Sequence, residues 1–314
     1  MPLMSTLATA LLSFYHDSRL ALSLHPRRGA RQGLRAPQRR ELHMPCSLVS
    51  VAALYPCDLT DAEWTQLAPL LPAPAQRGRP RSWPLRLLVN ALFYVLRTGC
   101  AWRYLPREYP PWQTTYTTFR QWRLNGVWQR VHEALRRAVR LRAGRHANPS
   151  AAIMDSQSVK TTEESGGIKG YDGGKQVKGR KRHVLVDTLG LLLSVEVTPA
   201  NISDQAGARR LLVGLKPLQP RLELIWADGS YSGEPLATWC ATEGAWRVEI
   251  IKPTPHVQGF VVRPWCWIVE RMLGWLGRHR RLSKDYERKL QSSEALLKLA
   301  MIRLMLRRLA RSTV

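Results

Sequence analysis

Residues 222–228 read LELIWAD, and residues 150–155 read SAAIMD. Each is a short apolar run that stops at an aspartate, Asp228 in the first and Asp155 in the second. Apolar runs of this length, bounded by turn-forming residues, predict buried strands rather than helices. Between them, HVLVDT (183–188) and LLLSVEVT (191–198) flank Leu189-Gly190 and predict a hairpin. SDQAGARRLLVGL (203–215) and EPLATWCATEG (234–244) predict helices, and WRVEIIKP (246–253) a further strand. The tail is helical in pattern from about Trp267, most strongly in SEALLKLAMIRLMLRRLA (293–310). The order strand, hairpin, helix, strand, helix, strand, helix is that of an α/β domain, a mixed five-stranded sheet with helices on its faces.

Upstream of residue 149 the pattern is helical. Thr60 and Glu63 form a capping box that predicts a helix from Asp61, weakened at Pro69 and stopped at Pro72. PLRLLVNALFYVLRTG carries Pro84 at its start and Gly99 at its end, and its broad apolar face predicts a core helix. A short helix over 101–105, a Pro-rich turn and a polar helix over about 113–124 have the outline of a helix-turn-helix, with another helix from about Val127. Thr114, Arg120 and Arg123 on the polar helix are candidate DNA contacts; the bland reading is a solvated bundle face. HANPS (146–150) reads as a linker, which sets an all-α DNA-binding domain over 55–148 and a catalytic domain over 149–314.

The chain has 314 residues, with 48 Lys and Arg against 23 Asp and Glu, a formal charge of +25. An excess of that size repels itself unless a polyanion neutralises it, and nucleic acid is the leading candidate. Twelve Trp argue against a ribosomal protein. Five widely spaced Cys with no C-x-x-C give neither a disulfide framework nor a zinc site, and fit a reducing cytoplasm. No uncharged apolar run is long enough to span a bilayer. Residues 1–54 stand apart: HPRRGARQGLRAPQRR holds six Arg and no acid. This segment is either a DNA-touching arm or a disordered basic leader from too early a start codon, and Met44 offers a second start, which favours the latter.

A carboxylate at the end of an apolar strand is costly unless something compensates its lost hydration. Two such strand-end acids ask for a cation, although loop capping is the alternative. Glu270, in WIVERMLGWL, lies on an apolar stripe near a helix start and is the third acid able to face the same sheet edge. Three carboxylates without His or Cys suit Mg2+ or Mn2+ rather than zinc. Two such ions about 3.5–4 Å apart support phosphodiester hydrolysis and transesterification. Asp187 and Asp204 are set aside, the first as a hairpin closer and the second as a helix cap.

AIMDSQSVKTT (152–162), GYDGGKQVKGRKRHVLVDTLGLLL (170–193), IWADGSY (225–231) and WIVERMLGWLGRHRRLSKDYE (267–287) resemble the catalytic half of bacterial insertion-sequence DDE transposases of the IS-five group. YPCDLTDAEWTQLAPLLP (55–72), GRPR (78–81), FYVLRTGCAWRYLP (93–106) and PPWQTTYTTFRQW (110–122) resemble that group's N-terminal region. The resemblance runs from about Tyr55 to the C-terminus. It implies an RNase H-like catalytic fold and DNA strand transfer at the element's inverted repeats. It also implies a metal-binding catalytic triad of Asp155, Asp228 and Glu270, holding two Mg2+ or Mn2+ ions. Double-stranded DNA is the implied partner, with a homodimer or higher oligomer in the synaptic complex, in the bacterial cytoplasm near the nucleoid.

Lys175, Lys178, Arg180, Lys181 and Arg182 follow the Gly-rich loop beside Asp155 and are candidate phosphate contacts. Arg271, Arg278 and Lys284 resemble the group's basic positions after the Glu, and Trp267 is a candidate for stacking on a base. One departure stands out: where members of the group carry two consecutive Arg before the Glu, this chain has Trp265 and Cys266. Neither side chain supplies the bidentate phosphate contact of Arg. The readings that follow are an active transposase, or a decayed copy that only binds DNA. A host nuclease on the same fold is a third, which inverted repeats flanking the gene would exclude.

Overall fold

The structure, a computed structural model, describes residues 53–73, 81–251 and 265–311. The leader expected over residues 1–54 lies outside these but for its last two residues, as does most of GRPR.

The sheet contains β1 (Ala151–Lys160), β2 (Gly170–Asp172), β3 (Val177–Asp187), β4 (Leu192–Pro199), β5 (Leu224–Ala227) and β6 (Arg247–Ile250). β3 pairs antiparallel with β1 and β4, while β1, β5 and β6 run parallel to one another. Across the sheet the order is β4, β3, β1, β5, β6. β2 is a sixth, three-residue strand from the Gly-rich loop, pairing with β3 at Val177–Gly179 ahead of the β4 ladder. This mixed, curled sheet with helices on both faces is the RNase H-like α/β fold.

Eight α-helices accompany it among the described residues: α1 (Asp61–Leu67), α2 (Leu85–Thr98), α3 (Trp112–Leu124), α4 (Val127–Arg142), α5 (Asp204–Leu212), α6 (Glu234–Gly244), α7 (Cys266–Gly277) and α8 (Leu290–Ala310). The local signals for their ends hold. Thr60 and Glu63 make the reciprocal capping box of α1, and α2 ends at Gly99 in the left-handed conformation, φ 72°. The short helix expected over 101–105 is a single 3₁₀ turn, Trp102–Tyr104. The element ahead of α3 is thus too short to be the first helix of a full helix-turn-helix.

The sheet divides two cores. Ala152, Met154, Leu185 and Ile225 pack with α5 and α6, while Ile153, Val184, Val186 and Val197 pack with α7 and α8. The split follows the strand's two-residue alternation. α8 is covered nearly all round because helices pack on it from several sides: Leu67 of α1, Leu92 and Phe93 of α2, Phe119 of α3 and Val131 and Leu135 of α4 join its Leu296–Leu306 stretch in one cluster. The change of character near residue 148 is therefore a change of secondary structure within a continuous core. Polar ties reinforce it. Arg303 of α8 donates to Glu63 of α1 at 2.5 Å, and Arg140 of α4 pairs with Asp187 at the β3–β4 turn at 2.5 Å.

Candidate active site

Asp155 is the fifth residue of the ten-residue β1, not its end. The strand continues through SQSVK because β3 pairs with it as far as Lys160. What stops beside Asp155 is the parallel neighbour. Ile153 is in register with Trp226, and β5 ends at Ala227, so Asp228 leaves the sheet level with Asp155. Asp155 shares a face with Ile153, the face that α7 covers through Ile268, Val269 and Met272. Glu270 lies on α7 between those buried residues and is itself exposed.

Asp155 lies within reach of the charges of the other two acids. Burial pushes the Asp155 carboxyl up to about 6, and the charges of Asp228 and Glu270 push the same way, against the Ser156 amide and the Lys175 ammonium. Asp155 accepts the Ser156 N–H at 2.6 Å. Asp228 also caps a local turn, accepting the Ser230 N–H at 2.9 Å and its hydroxyl at 2.5 Å. The loop-capping alternative is thus realised at Asp228, whose charge also reaches Asp155.

The basic residues separate into two groups. Lys175 is exposed at the β2–β3 turn and donates through Nζ to the Ser156 carbonyl at 2.8 Å; Lys178 is also exposed. Arg180, Lys181 and Arg182 are not on a loop, because β3 begins at Val177 and carries them into the interior. Arg180 is 0% exposed and pairs with Asp285 at 2.9 Å while donating to the carbonyls of Ser165, Ile168 and Glu287. Lys181 sits between Asp172 and Asp204 at 3.3 and 3.2 Å. Arg182 donates to the Leu282 carbonyl at 2.9 Å. Buried charges must be paired or hydrogen-bonded. These three are committed to protein partners, which corrects the surface role expected of them.

Of the remaining candidates, Thr114 and Arg120 are exposed on α3, and Arg123 is half-buried beside α8 with its Nε enclosed. Arg278 and Lys284 are exposed. Arg271 lies over the Trp267 ring at 4.5 Å and the Trp275 ring at 4.9 Å, so its guanidinium is held along α7 by two indoles. Trp265 is 42% exposed and stacks on Trp226, whereas Cys266 is buried. Asp187 closes its hairpin as expected, accepting from the Leu189 and Leu191 amides. Asp204 does not cap α5; Ser203 does. Asp204 instead accepts the Ser156 hydroxyl at 2.7 Å and the Lys181 ammonium, a polar support under β1 that sequence reasoning missed. The neighbouring Ser203-Asp204 pair was the available signal, since only one of two adjacent acceptors can cap a helix.

Among the described residues no three His, Cys, Asp or Glu side chains converge tightly enough to enclose an ion as they stand. The donor set still fits a hard divalent cation by its chemistry: three carboxylates, one of them held above its usual range by burial and by the other two. No helix among the described residues is long and apolar enough to cross a membrane.

The sheet order, with Asp155 and Asp228 level with each other where the parallel pair β1–β5 ends, defines the class, an RNase H-like α/β domain. Residues 146–305 match the family described as "Transposase DDE domain", and the chain belongs to that family. Residues 59–132 match "Putative transposase of IS4/5 family". The chain is 36% identical over 108 residues to an "Insertion element IS402 uncharacterized 16.2 kDa protein" of Burkholderia cepacia, covering 32% of this chain and 72% of the relative. It is 29% identical over 128 residues to a "Putative transposase for insertion sequence element IS402" of the same organism, covering 38% of this chain and 60% of the relative.

Proposed function

We propose that the chain binds the terminal inverted repeats of an insertion sequence and catalyses cleavage and transfer of its DNA ends, with Asp155, Asp228 and Glu270 holding Mg2+ or Mn2+. The observation that carries this reading is Asp155 and Asp228 standing level where the parallel pair β1–β5 ends, in a chain of the transposase DDE-domain family. Bound there, divalent ions would activate water and stabilise the leaving 3′ oxygen. The protein's own contribution is positional. β1 and β5 hold Asp155 and Asp228 at adjacent strand positions, α7, which carries Glu270, packs on the Asp155 face through Ile268, Val269 and Met272, and Asp204 accepts from Ser156. Lys175 and Lys178, with Arg271 and Lys284, are the exposed cations that support phosphate contact, Arg278 is an exposed cation past the end of α7, and Thr114 and Arg120 are the exposed candidates for DNA contact on α3, with Arg123 half-buried beside them. Two ends must be joined, so the active form is a dimer or higher oligomer.

The test is a cleavage and joining assay on a plasmid carrying the flanking inverted repeats, with Mg2+ or Mn2+. Metal-dependent products from the wild type, absent with Asp155→Ala and Glu270→Ala, support the reading. Binding to the repeats without products supports the second reading, a decayed copy that only binds DNA. That reading is favoured by one observation, Trp265 and Cys266 in the positions where the family resemblance calls for Arg.

A further inference from the structure

A cavity of about 70 Å³ lies away from the carboxylates, where α2, the end of α7 and α8 meet. That is space for several waters, and enough for a tetrahedral oxyanion. Its walls are apolar side chains of α2, α7 and α8, among them Phe93, Trp275 and Met301, and its polar lining is Arg97, Arg278, Arg303, Arg307 and His279, with no Asp or Glu among the described residues. Of these four Arg, only Arg303 is ion-paired with an acid among the described residues, Glu63, whose charge also reaches Arg307. Arg97 donates to a neutral group, the Arg278 carbonyl. The other cations crowd the pocket. The imidazole of His279 is pushed down to about 4 by burial and by Arg97, Arg307 and Arg303, and Arg307 is lowered by burial and by Arg303. The His279 Nδ1 is enclosed and has no hydrogen-bond partner among the described residues. Like charges held together around an open space, with an enclosed ring nitrogen left over, are relieved by an anion.

We infer that this cavity is a phosphate-binding site, gripping a DNA backbone phosphate with Arg97 and Arg307 at a point remote from the catalytic acids. Gly277, the last residue of α7, follows Glu270 by seven residues, so the cavity's polar lining begins about 10 Å along the helix from Glu270 at 1.5 Å per residue. A duplex crossing the catalytic face would therefore be held at a second place, where the N-terminal helices join the sheet domain. The DNA part of this inference rests on the proposed transposase function; the phosphate part does not.

The test uses the full chain and the double variant Arg97→Gln, Arg307→Gln, whose wild-type side chains are exposed and outside the catalytic cluster. Inorganic phosphate, against chloride at equal ionic strength, is expected to raise the wild-type melting temperature by about 2–4 °C and to have a smaller effect on the variant. For duplex DNA, the slope of log K against log salt is expected to fall by about 1 for each phosphate the variant no longer neutralises. A phosphate effect with an unchanged DNA slope keeps the anion site but assigns it to a free phosphate compound, which overturns the DNA assignment. If phosphate stabilises wild type and variant equally, the site is overturned. Should the wild type bind no DNA at all, the transposase reading fails, and the phosphate titration still decides the cavity.

Discussion

The Trp265 indole lies flat on that of Trp226, with ring centroids 4.6 Å apart and planes 4° from parallel. Trp226 is two residues before Asp228 on β5, and Trp265 opens the helix that carries Glu270. The stack therefore ties together the two elements that supply two of the three acids. It also reframes the departure at residues 265 and 266, since the indole has acquired a packing role where the family resemblance places an Arg. Stacked aromatic pairs contribute about 0.5–1.5 kcal/mol beyond their buried area. Trp265→Arg is expected to lower stability by about 1 kcal/mol while raising strand transfer, if the missing Arg is what weakens this copy. Position 266 is the poorer place to restore one, because Cys266 is buried and a guanidinium there would have to be desolvated. Strand transfer that stays flat or falls both in Trp265→Arg and when Arg is restored at 265 and 266 together sinks the idea of a decayed copy.

Asp155 makes stability depend on pH in a defined direction. Its folded value is about 6 against the ordinary 3.8, so the native state holds the proton more tightly. The unfolded chain gives up that proton first, and stability falls as pH rises from about 4 to about 6, then levels off. At 1.36 kcal/mol per unit the penalty above pH 6 is about 3 kcal/mol. Asp155→Asn should raise the melting temperature at pH 8 and leave it unchanged near pH 3.5. Equal shifts at both pH values would contradict the burial of that carboxyl.

Divalent metal should act on the same penalty. Mg2+ or Mn2+ is expected to raise the melting temperature of the wild type at pH 8 and to have little effect on Asp155→Ala or Glu270→Ala. Differential scanning fluorimetry reads this without DNA. Identical metal shifts in all three proteins would place the ion elsewhere.

Arg180 and Lys178 are two residues apart and should behave oppositely. Arg180→Ala leaves Asp285 buried without its partner and is expected to cost about 3–5 kcal/mol. Lys178→Ala should leave the melting temperature within about 1 °C, weaken DNA binding and lower its salt slope by about 1. Denaturant melts and fluorescence anisotropy at several salt concentrations separate the two. A stable Arg180→Ala with weakened DNA binding would return Arg180 to the surface role read from the sequence.

Gly179 is required by the sheet itself. A Cβ there would stand 2.0 Å from the Val159 carbonyl oxygen, inside the β1–β3 pairing that positions Asp155. Gly179→Ala should destabilise the chain by several kcal/mol or prevent folding, read as loss of soluble protein or of a cooperative melt.

What the sequence by itself determined was local or periodic. The capping box at Thr60–Glu63, the Gly99 stop, the apolar runs of β1, β4 and β5 and the two Asp beside the parallel pair follow from interactions within a few residues, or from a repeat of two or 3.6. Only the tertiary structure decided what the charges of β3 do. VKGRKR reads as a solvated basic loop because Arg180 finds Asp285 and the Glu287 carbonyl about a hundred residues away, and Lys181 finds Asp172 and Asp204 across the sheet, which no local pattern announces. The same holds for the length of β1, which β3 extends past Asp155, and for the join of the helical region to the sheet, which α8 makes from the far end of the chain. Hydrophobic spacing shows which face of an element is buried. Which charge meets which across the fold is settled when the chain closes, because a buried ion survives there only with its partner in place.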